Sequence, residues 1–292
     1  MSSGNSPFFM EKHAVRRAFE QAAAAYETSA VLQDQVGAQL IERLDLVKLE
    51  PRWILDVGSG TGLQSRRLNR RYPHARLLAL DLASNMLQQA QRRKGWRQRQ
   101  HFCQGDAENL PLATASIDLL YANMSIQWCN DLDQVLREFA RVLRPGGLLM
   151  FSTLGPDTLK ELRQAFAAVD DRPHVGDFID IDDIGDALLR QGYEMPVLDV
   201  EYYQLTYGVA DDLLRDLRNI GATNAAAGRP RGLLTPRRLQ MLQQAYEGFR
   251  ADGRLPATYE VVYGHAWGSG LHASPREDGG IVFPLTRLRR RS

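Results

Sequence analysis

The sequence predicts an α/β fold in which helices cover both faces of a mostly parallel sheet. Short apolar runs alternate with helix-compatible segments between about residues 50 and 155, an alternation typical of parallel βαβ units. The first four runs end in glycine, acidic or amide residues. Because the carboxyl ends of parallel strands meet along one edge of a sheet, these polar residues are expected to share a single crevice.

Residues 1–48 are predicted to form a helical cap ahead of the sheet. Between Val15 and Gln33 the apolar residues recur at helical spacing. A cap of this kind can cover the crevice, and its candidate ligand contacts are Tyr26 and Gln33. Periodicity alone equally allows Tyr26 to be an ordinary half-buried aromatic residue.

A glycine-rich loop follows the first apolar run. Residues 53–55 lead into the motif Asp-Val-Gly-Ser-Gly-Thr-Gly at 56–62, and a helical segment begins at Leu63. Glycines permit a sharp turn and close approach of a ligand, and a helix start offers free N–H groups. A dinucleotide fingerprint, G-x-G-x-x-G, is not met because the third glycine comes one residue early. Asp56 would repel a pyrophosphate but suits the cationic amino-acid end of S-adenosylmethionine. The alternative for the loop alone is a plain strand-to-helix turn.

The next three apolar runs also end in polar groups. Asp81 follows the second run, about 20 residues after the last loop glycine, where an acid can accept both hydroxyls of a ribose. Asp106 or nearby backbone follows the third run and can bind an adenine amino group, and Asn123 ends the fourth. Together they predict a nucleoside across the carboxyl edge of the sheet. The predicted cofactor contacts are Tyr26, Gln33, Asp56, Gly58, Ser59, Gly60, Thr61, Gly62, Asp81, Leu82, Met86, Asp106, Ala107, Glu108 and Asn123.

The rest of the chain is predicted to complete the sheet and to carry a helical insertion. Pro145 followed by two glycines predicts a helix-to-strand turn at 141–147, before a fifth strand at 148–151. Beyond it the pattern predicts helices at 157–169, 181–189, 211–220 and 236–249 and strands at 197–205 and 259–263. The main domain is expected to span 49–267, with an insertion at about 207–252 of the kind that forms lids and substrate pockets. Residues 268–292 are predicted to be a flexible basic tail.

Composition limits the class of protein. The 292 residues are 44% apolar and carry a net charge of +1, so a proper core is expected and a general attraction to nucleic acid or membrane is not. The sequence contains no apolar stretch of membrane-spanning length and no signal-peptide core at its start. Cys103, Cys129 and the six histidines show no metal-ligand spacing. We therefore expect a cytoplasmic protein without a metal site.

Further segments support a resemblance to a known family. They are Ser-Ile-Gln-Trp at 125–128, the run 152–162 after the fifth strand, Arg-Pro-His at 172–174, Asn-Ile-Gly-Ala-Thr-Asn at 219–224 and Leu-Thr at 234–235. Over about residues 50–155 the chain resembles class I S-adenosylmethionine-dependent methyltransferases, which implies a Rossmann-like, seven-stranded sheet. Over about residues 10–267 it resembles the malonyl-acyl-carrier-protein O-methyltransferases of biotin synthesis. The Gly-Ala-Thr-Asn segment is the most specific of these signals.

The resemblance implies methyl transfer from S-adenosylmethionine to the free carboxylate of a malonyl thioester. A carboxylate with a pKa near ~4 is ionised at neutral pH, so no general base is needed, and the protein has only to align and desolvate the reactants. We therefore expect no catalytic acid or base, but an anion clamp, for which arginine is best suited. The candidate substrate-binding residues are Tyr26, Ser125, Trp128, Arg141 and Arg144.

The resemblance implies an acyl-carrier protein bearing a malonyl thioester as partner. Among three basic runs, the arginines at 229–238 are favoured for docking because they lie in the predicted insertion; charge runs are more often solvated faces. Other acceptors stay open, namely malonyl coenzyme A, another small carboxylic acid, or RNA, which the near-zero net charge disfavours. A non-catalytic cofactor-binding protein is a further alternative.

Overall fold

Seven strands form one sheet in the order β3-β2-β1-β4-β5-β7-β6. The computed structural model describes residues 9–96, 98–229 and 235–270, and the backbone of residues 274–275 and 281–282. The strands are β1 (Trp53–Val57), β2 (Arg76–Asp81), β3 (Gln100–Gln104), β4 (Ile117–Asn123), β5 (Leu143–Leu154), β6 (Tyr193–Tyr207) and β7 (Leu255–Gly268). Strands β1 to β5 pair in parallel, whereas β7 runs antiparallel to both β5 and β6. The predicted mostly parallel, seven-stranded sheet is confirmed.

Helices precede and alternate with these strands. They are α1 (Lys12–Ala22), α2 (Tyr26–Ser29), α3 (Val31–Glu42), α4 (Leu63–Arg71), α5 (Ser84–Arg93), α6 (Leu132–Val142), α7 (Lys160–Ala167), α8 (Ile181–Arg190), α9 (Ala210–Asn219) and α10 (Pro236–Glu247). Short 3-10 turns occur at Arg43–Leu46 and Ile126–Trp128. Three helices start at side-chain caps, since Asp131, Asp180 and Thr235 accept from backbone N–H groups of the first turn.

The core has two halves because successive strand residues point to opposite faces of the sheet. Ile54 belongs to the half that contains α3, α7, α9 and α10, and its neighbour Leu55 belongs to the half that contains α6 and α8. Leu119 and Leu120 of β4 divide in the same way. All four side chains are inaccessible to solvent, so both faces of the sheet are covered, as predicted.

The strand order reverses between β1 and β4. From β1 the chain proceeds outward through β2 and β3, and it then returns to add β4 on the other side of β1. Loops that leave the carboxyl ends of β1 and β4 therefore diverge in opposite directions and open a crevice between them. This crevice is where the glycine loop and the residues after β4 meet.

The predicted turn at 141–147 is part of strand β5. Helix α6 ends at Val142 and the strand starts at Leu143, which pairs with Ile117, whereas the next paired residue is Leu148 opposite Leu119. The residues between them bulge out of the ladder, and Gly146 adopts a φ of +75°. Pro145 and the two glycines thus form an irregular strand start instead of a separate turn.

Helices α9 and α10 form the connection between β6 and β7. The two ends of this connection are paired with each other, because Tyr207 lies opposite Leu255 in the ladder. Leu213 of α9 and Leu242 of α10 are fully buried, so the connection is part of the core. The division of the chain into cap, main domain and tail stays a prediction. Most of the proposed tail lies outside the described residues, and so does Arg231 of the basic run at 229–238.

The described residues contain neither a membrane-spanning helix nor a metal-binding cluster. None of the helices combines the length and the apolar composition that a bilayer crossing requires. Within the same residues, no group of three or more His, Cys, Asp or Glu side chains is arranged to hold a metal ion.

Candidate functional site

Two adjacent pockets open at the carboxyl edge of the sheet. The first, the glycine-loop pocket, has a volume of about 650 Å³, including its open mouth, between the loop after β1, the end of β2 and helix α1. The second, the insertion pocket, has a volume of about 950 Å³, also including its open mouth, between α1, the start of α7 and residues 220–226 after α9. Most of the predicted cofactor residues line the first pocket.

Glycine is required at the three loop positions for different structural reasons. All have positive φ: +69° at Gly58, +53° at Gly60 and +80° at Gly62, a region that β-carbons disfavour. A Cβ at Gly58 would lie 2.3 Å from the Ser125 Cβ, and one at Gly62 would lie 2.9 Å from the Ala90 Cβ. At Gly60 the nearest atom would be Tyr26 Cε1 at 3.8 Å, so only there does the missing side chain leave space in the pocket. Gly62 lines neither pocket and packs against helix α5, so the geometry supports a packing role and not the predicted cofactor contact.

Two buried carboxylates lie beside this loop. The hydroxyl of Ser65 donates to Asp56, whose pKa burial raises to about 7, with the charge of Asp81 adding to the effect. Asp81 accepts from the backbone N–H groups of Gly60 and Ala83, each at 2.8 Å. Burial raises the pKa of Asp81 to about 6, although these backbone donors oppose the shift. The site therefore holds two desolvated acids that a cationic or hydroxylated ligand can stabilise as anions.

The acidic site after β3 is engaged by helix α1. Lys12 Nζ lies 2.9 Å from Asp106 Oδ1 and 3.1 Å from Glu108 Oε2. Asp106 and Ala107 line the glycine-loop pocket, as do Leu82 and Met86. Glu108 is not among the lining residues; its carboxylate accepts from the backbone N–H of Asn130. Glu108 therefore links two loops and lies outside the pocket, where a cofactor contact had been predicted.

The cap is attached to the glycine loop through Glu27. Its Oε1 accepts from Thr61 Oγ1 at 2.6 Å and from Arg66 Nη2 at 3.0 Å, and it lies 2.9 Å from Arg93 Nη1. Asn123 Nδ2 donates to the Gln33 carbonyl at 3.0 Å. These contacts hold α2 and α3 over a shallow cleft that continues the glycine-loop pocket, lined in part by Gln33, Asp56, Ser59, Thr61 and Asn123.

Four side chains, the shared wall, line both pockets: Phe19, Tyr26, Met124 and Trp128. The Phe19 and Trp128 rings meet edge to face, 5.1 Å apart at 89°. Burial raises the pKa of Tyr26 well above its ordinary value, and the charge of Asp81 raises it further, so the phenol stays neutral. Ser125 lines the glycine-loop pocket next to this wall, and its buried hydroxyl has no partner among the described residues.

The two predicted arginine clamps lie elsewhere. Arg141 donates to Glu138 and to the carbonyls of Leu110 and Leu112 at 2.7–2.9 Å. Arg144 Nη1 lies 2.6 Å from Asp118 Oδ1, and Asp118 Oδ2 accepts from the backbone N–H of Trp53, at the start of β1. Asp118 thus marks the amino edge of the sheet, opposite the pockets. Both arginines lie outside the lining of the two pockets, so the structure corrects their predicted role.

Sequence reasoning missed several lining residues. Phe19, Lys12 and Met124 enter the site through contacts between segments far apart in the chain, and no local pattern marks them. His174 and Asn224 line the insertion pocket, and each lies in a segment that carries the family resemblance. Those segments were the signal in the sequence that could have pointed to His174 and Asn224.

Comparison of the sequence with known proteins identifies relatives of this chain. A profile described as "Methyltransferase domain" matches residues 55–151. A malonyl-[acyl-carrier protein] O-methyltransferase from Methylovorus sp. (strain MP688) is 54% identical over 267 residues, covering 89% of this chain and 90% of the relative. The protein of the same name from Laribacter hongkongensis (strain HLHK9) is 49% identical over 281 residues, covering 94% and 95%.

Solved structures agree in fold. The YcgJ protein from Bacillus subtilis superposes with a TM-score of 0.54 at 17% identity, covering 78% of this chain and 97% of its own. A phosphoethanolamine N-methyltransferase 2 from Haemonchus contortus, solved in complex with S-adenosyl-L-methionine, gives a TM-score of 0.51 at 16% identity, covering 85% and 57%. The sequence relatives, at far higher identity over nearly the whole chain, decide the assignment: this chain belongs to the malonyl-[acyl-carrier protein] O-methyltransferase family.

Proposed function

We propose that this protein transfers the methyl group of S-adenosylmethionine to the free carboxylate of malonyl-acyl-carrier protein. The product is a malonyl methyl ester, whose masked charge lets a fatty-acid-like machinery extend the chain toward biotin. The observation that carries the proposal is the wall common to the two pockets. A methyl donor in the glycine-loop pocket and an acceptor in the insertion pocket would meet at this shared wall. The methyl group would then pass between them without entering solvent. The names of the relatives supply the acceptor.

The glycine-loop pocket fits S-adenosylmethionine. Gly60 leaves open space where a Cβ would stand, and the buried Ser59 hydroxyl has no partner in the described structure. Asp56 would hold the cationic amino-acid end, Asp81 the ribose, and Asp106 with Ala107 the adenine. When bound, the cofactor supplies an electrophilic methyl group on a sulfonium centre.

The protein's own residues have to orient the two reactants and keep water away from them. The acceptor carboxylate is ionised without help from a base, so no proton has to move. Phe19, Trp128 and Met124 exclude water from the meeting point, and Tyr26 presents a neutral hydroxyl there. Excluding water favours a reaction in which two opposite charges disappear, because neither product needs the lost solvation.

The function is tested with radiolabelled S-adenosylmethionine and a panel of acceptors. We expect methylation of malonyl carrier protein, none of acetyl carrier protein, which has no free carboxylate, and little of the succinyl form, whose extra methylene misplaces the oxygen. Malonyl coenzyme A and free malonate test the need for the carrier. Label in RNA, or in no malonyl thioester, would overturn the proposal.

Replacing Asp81 with alanine is expected to weaken cofactor binding. In the proposed complex the carboxylate accepts ribose hydroxyls, and losing those contacts costs ~1–3 kcal/mol. Isothermal titration calorimetry measures the change in dissociation constant. An unchanged value would place the ribose elsewhere.

Arg141→Met and Arg144→Met are expected to leave turnover on malonyl carrier protein close to that of the wild type. Each removes contacts that hold loops together at a distance from the pockets, so the thermal midpoint should fall instead, by an amount equivalent to ~1–3 kcal/mol. Turnover and differential scanning calorimetry separate the two effects. A large loss of turnover with an unchanged midpoint would restore the arginine clamp.

Cofactor affinity is expected to fall as the pH drops through about 7 and then about 6, the pKa values of Asp56 and Asp81. A cationic ligand binds the ionised carboxylates more tightly, so protonation weakens binding, and binding near neutral pH releases protons. Calorimetry in buffers of different ionisation enthalpy measures that release. Constant affinity across this range would contradict the assignment of these acids.

A further inference from the structure

The shared wall contains two side chains that can donate a hydrogen bond. Phe19 and Met124 have no N–H or O–H group in their side chains, whereas Tyr26 has a hydroxyl and Trp128 has an indole N–H. Burial and then the charge of Asp81 raise the pKa of Tyr26, which places the phenol close to that carboxylate on the glycine-loop side. The indole N–H of Trp128 is therefore the donor left for a ligand of the insertion pocket.

The indole N–H of Trp128 is open to the cavities. Its Nε1 has no hydrogen-bond partner among the described residues, and it is not one of their buried polar atoms that lack a partner. The donor is thus reachable from the two cavities that the ring lines. An indole nitrogen only donates and keeps its proton at every pH at which proteins fold. The edge-to-face contact with Phe19, at 5.1 Å, fixes the ring that carries it.

The turn after β4 holds this ring against the glycine loop. Gln127 Nε2 donates to the Met124 carbonyl at 2.8 Å, and the backbone N–H of Trp128 donates to the Ser125 carbonyl at 3.2 Å. Ser125 packs directly on the loop, since a Cβ at Gly58 would lie 2.3 Å from the Ser125 Cβ. The position of Trp128 relative to the glycine loop is therefore set by a short, hydrogen-bonded turn.

We propose that Trp128 Nε1–H binds one oxygen of the acceptor carboxylate at the shared wall, an inference that rests on the proposed function. Trp128 belongs to that wall, where the carboxylate has to lie in order to react. One bound oxygen fixes the group and leaves its other oxygen free to react. Trp128 then distinguishes acyl groups that end in a carboxylate from acyl groups that do not.

A neutral donor suits this reaction better than a permanent cation. The carboxylate charge disappears as the ester forms, so a fixed cation would stabilise the reactant more than the transition state. A neutral N–H loses less when the charge falls. The described residues that line the insertion pocket agree, because none of them is a lysine or an arginine.

The experiment compares two ligands and two replacements of Trp128. Malonyl carrier protein has the carboxylate, and acetyl carrier protein has the same arm and thioester without it and serves as a competitive inhibitor. Trp128→Phe keeps an aromatic ring beside Phe19 and removes the N–H. Benzothienylalanine at position 128 keeps the shape of the indole and has sulfur in place of the N–H. Trp53→Phe is the control, since Trp53 lies beside His101 at the other edge of the sheet and lines neither pocket.

For both replacements of Trp128 we expect the KM of the malonyl form to rise about tenfold or more, the effect of losing a hydrogen bond to a charged group. The inhibition constant of the acetyl form should stay within about twofold, and Trp53→Phe should change neither constant. A parallel rise in both constants would mean that Trp128 only shapes the pocket and would overturn the inference, as would an unchanged KM in the benzothienylalanine variant. Absence of any methylation by the wild type would instead refute the proposed function.

Discussion

Replacing Gly60 with valine is expected to abolish S-adenosylmethionine binding in a protein that still folds. The pocket is open where the new side chain would stand, since the nearest atom to a Cβ is Tyr26 Cε1 at 3.8 Å. The Cβ of the valine would stand in the open part of the pocket at an ordinary contact distance from the protein. Its φ of +53° adds strain of about 1–2 kcal/mol, which a domain with ~5–15 kcal/mol of stability tolerates. Calorimetric titration measures the loss of cofactor binding, and the thermal midpoint measures the effect of the strain on stability.

Gly253 provides the matched control for Gly60. It has a φ of +74°, and no atom would lie within 4 Å of its Cβ, so Gly253→Val introduces similar strain in a turn away from the pockets. We expect it to lower the midpoint and to leave cofactor affinity unchanged. Wild-type affinity in Gly60→Val would show that the cofactor does not approach this part of the loop.

Asp56→Asn is expected to weaken cofactor binding by roughly 2–4 kcal/mol while stabilising the ligand-free protein. The variant removes the buried charge that would pair with the cationic end of the ligand. In the free protein that charge is a cost, because burial raises the pKa to about 7. A raised carboxyl pKa means that the folded state is penalised above the pKa of the unfolded chain, most fully above about pH 7.

The expected signature of Asp56→Asn is a higher thermal midpoint at alkaline pH together with a larger dissociation constant. Asp45→Asn serves as a control, because Asp45 is 67% exposed and pairs with Arg71 at the surface; it should change neither quantity appreciably. A lower midpoint in Asp56→Asn would show that the carboxylate stabilises the empty site. Unchanged affinity would move the amino-acid end of the ligand elsewhere.

Most of the lining of the glycine-loop pocket was predictable because it depends on local order. Parallel strands bring the residues at and just beyond their carboxyl ends to one edge of the sheet, and Asp56, Asp81, Asp106 and Asn123 all lie there. The packing reasons for glycine at positions 58 and 62 were not predictable, because they depend on tertiary contacts. Nothing in the sequence tells that Gly58 faces Ser125 or that Gly62 faces Ala90.

The arginine prediction failed for a reason that topology explains. A helix that connects parallel strands runs antiparallel to them, so the end of α6 and the beginning of β5 lie at the amino edge of the sheet. Arg141 and Arg144 occupy those positions, opposite the crevice. The insertion pocket was harder still to predict, because Phe19, His174 and Asn224 come together only when the cap, the segment between α7 and α8 and the insertion pack against one another.

The insertion joins the sheet at a single rung, where Tyr207 pairs with Leu255. Because its two ends are already neighbours, a change of length in this segment need not shift the register of any strand, provided that Leu213 and Leu242 keep their places in the core. The glycine loop and the acids at the strand ends belong to a different part of the chain. The lining that the insertion gives to its pocket can therefore change at one connection, while the glycine loop is inherited unchanged.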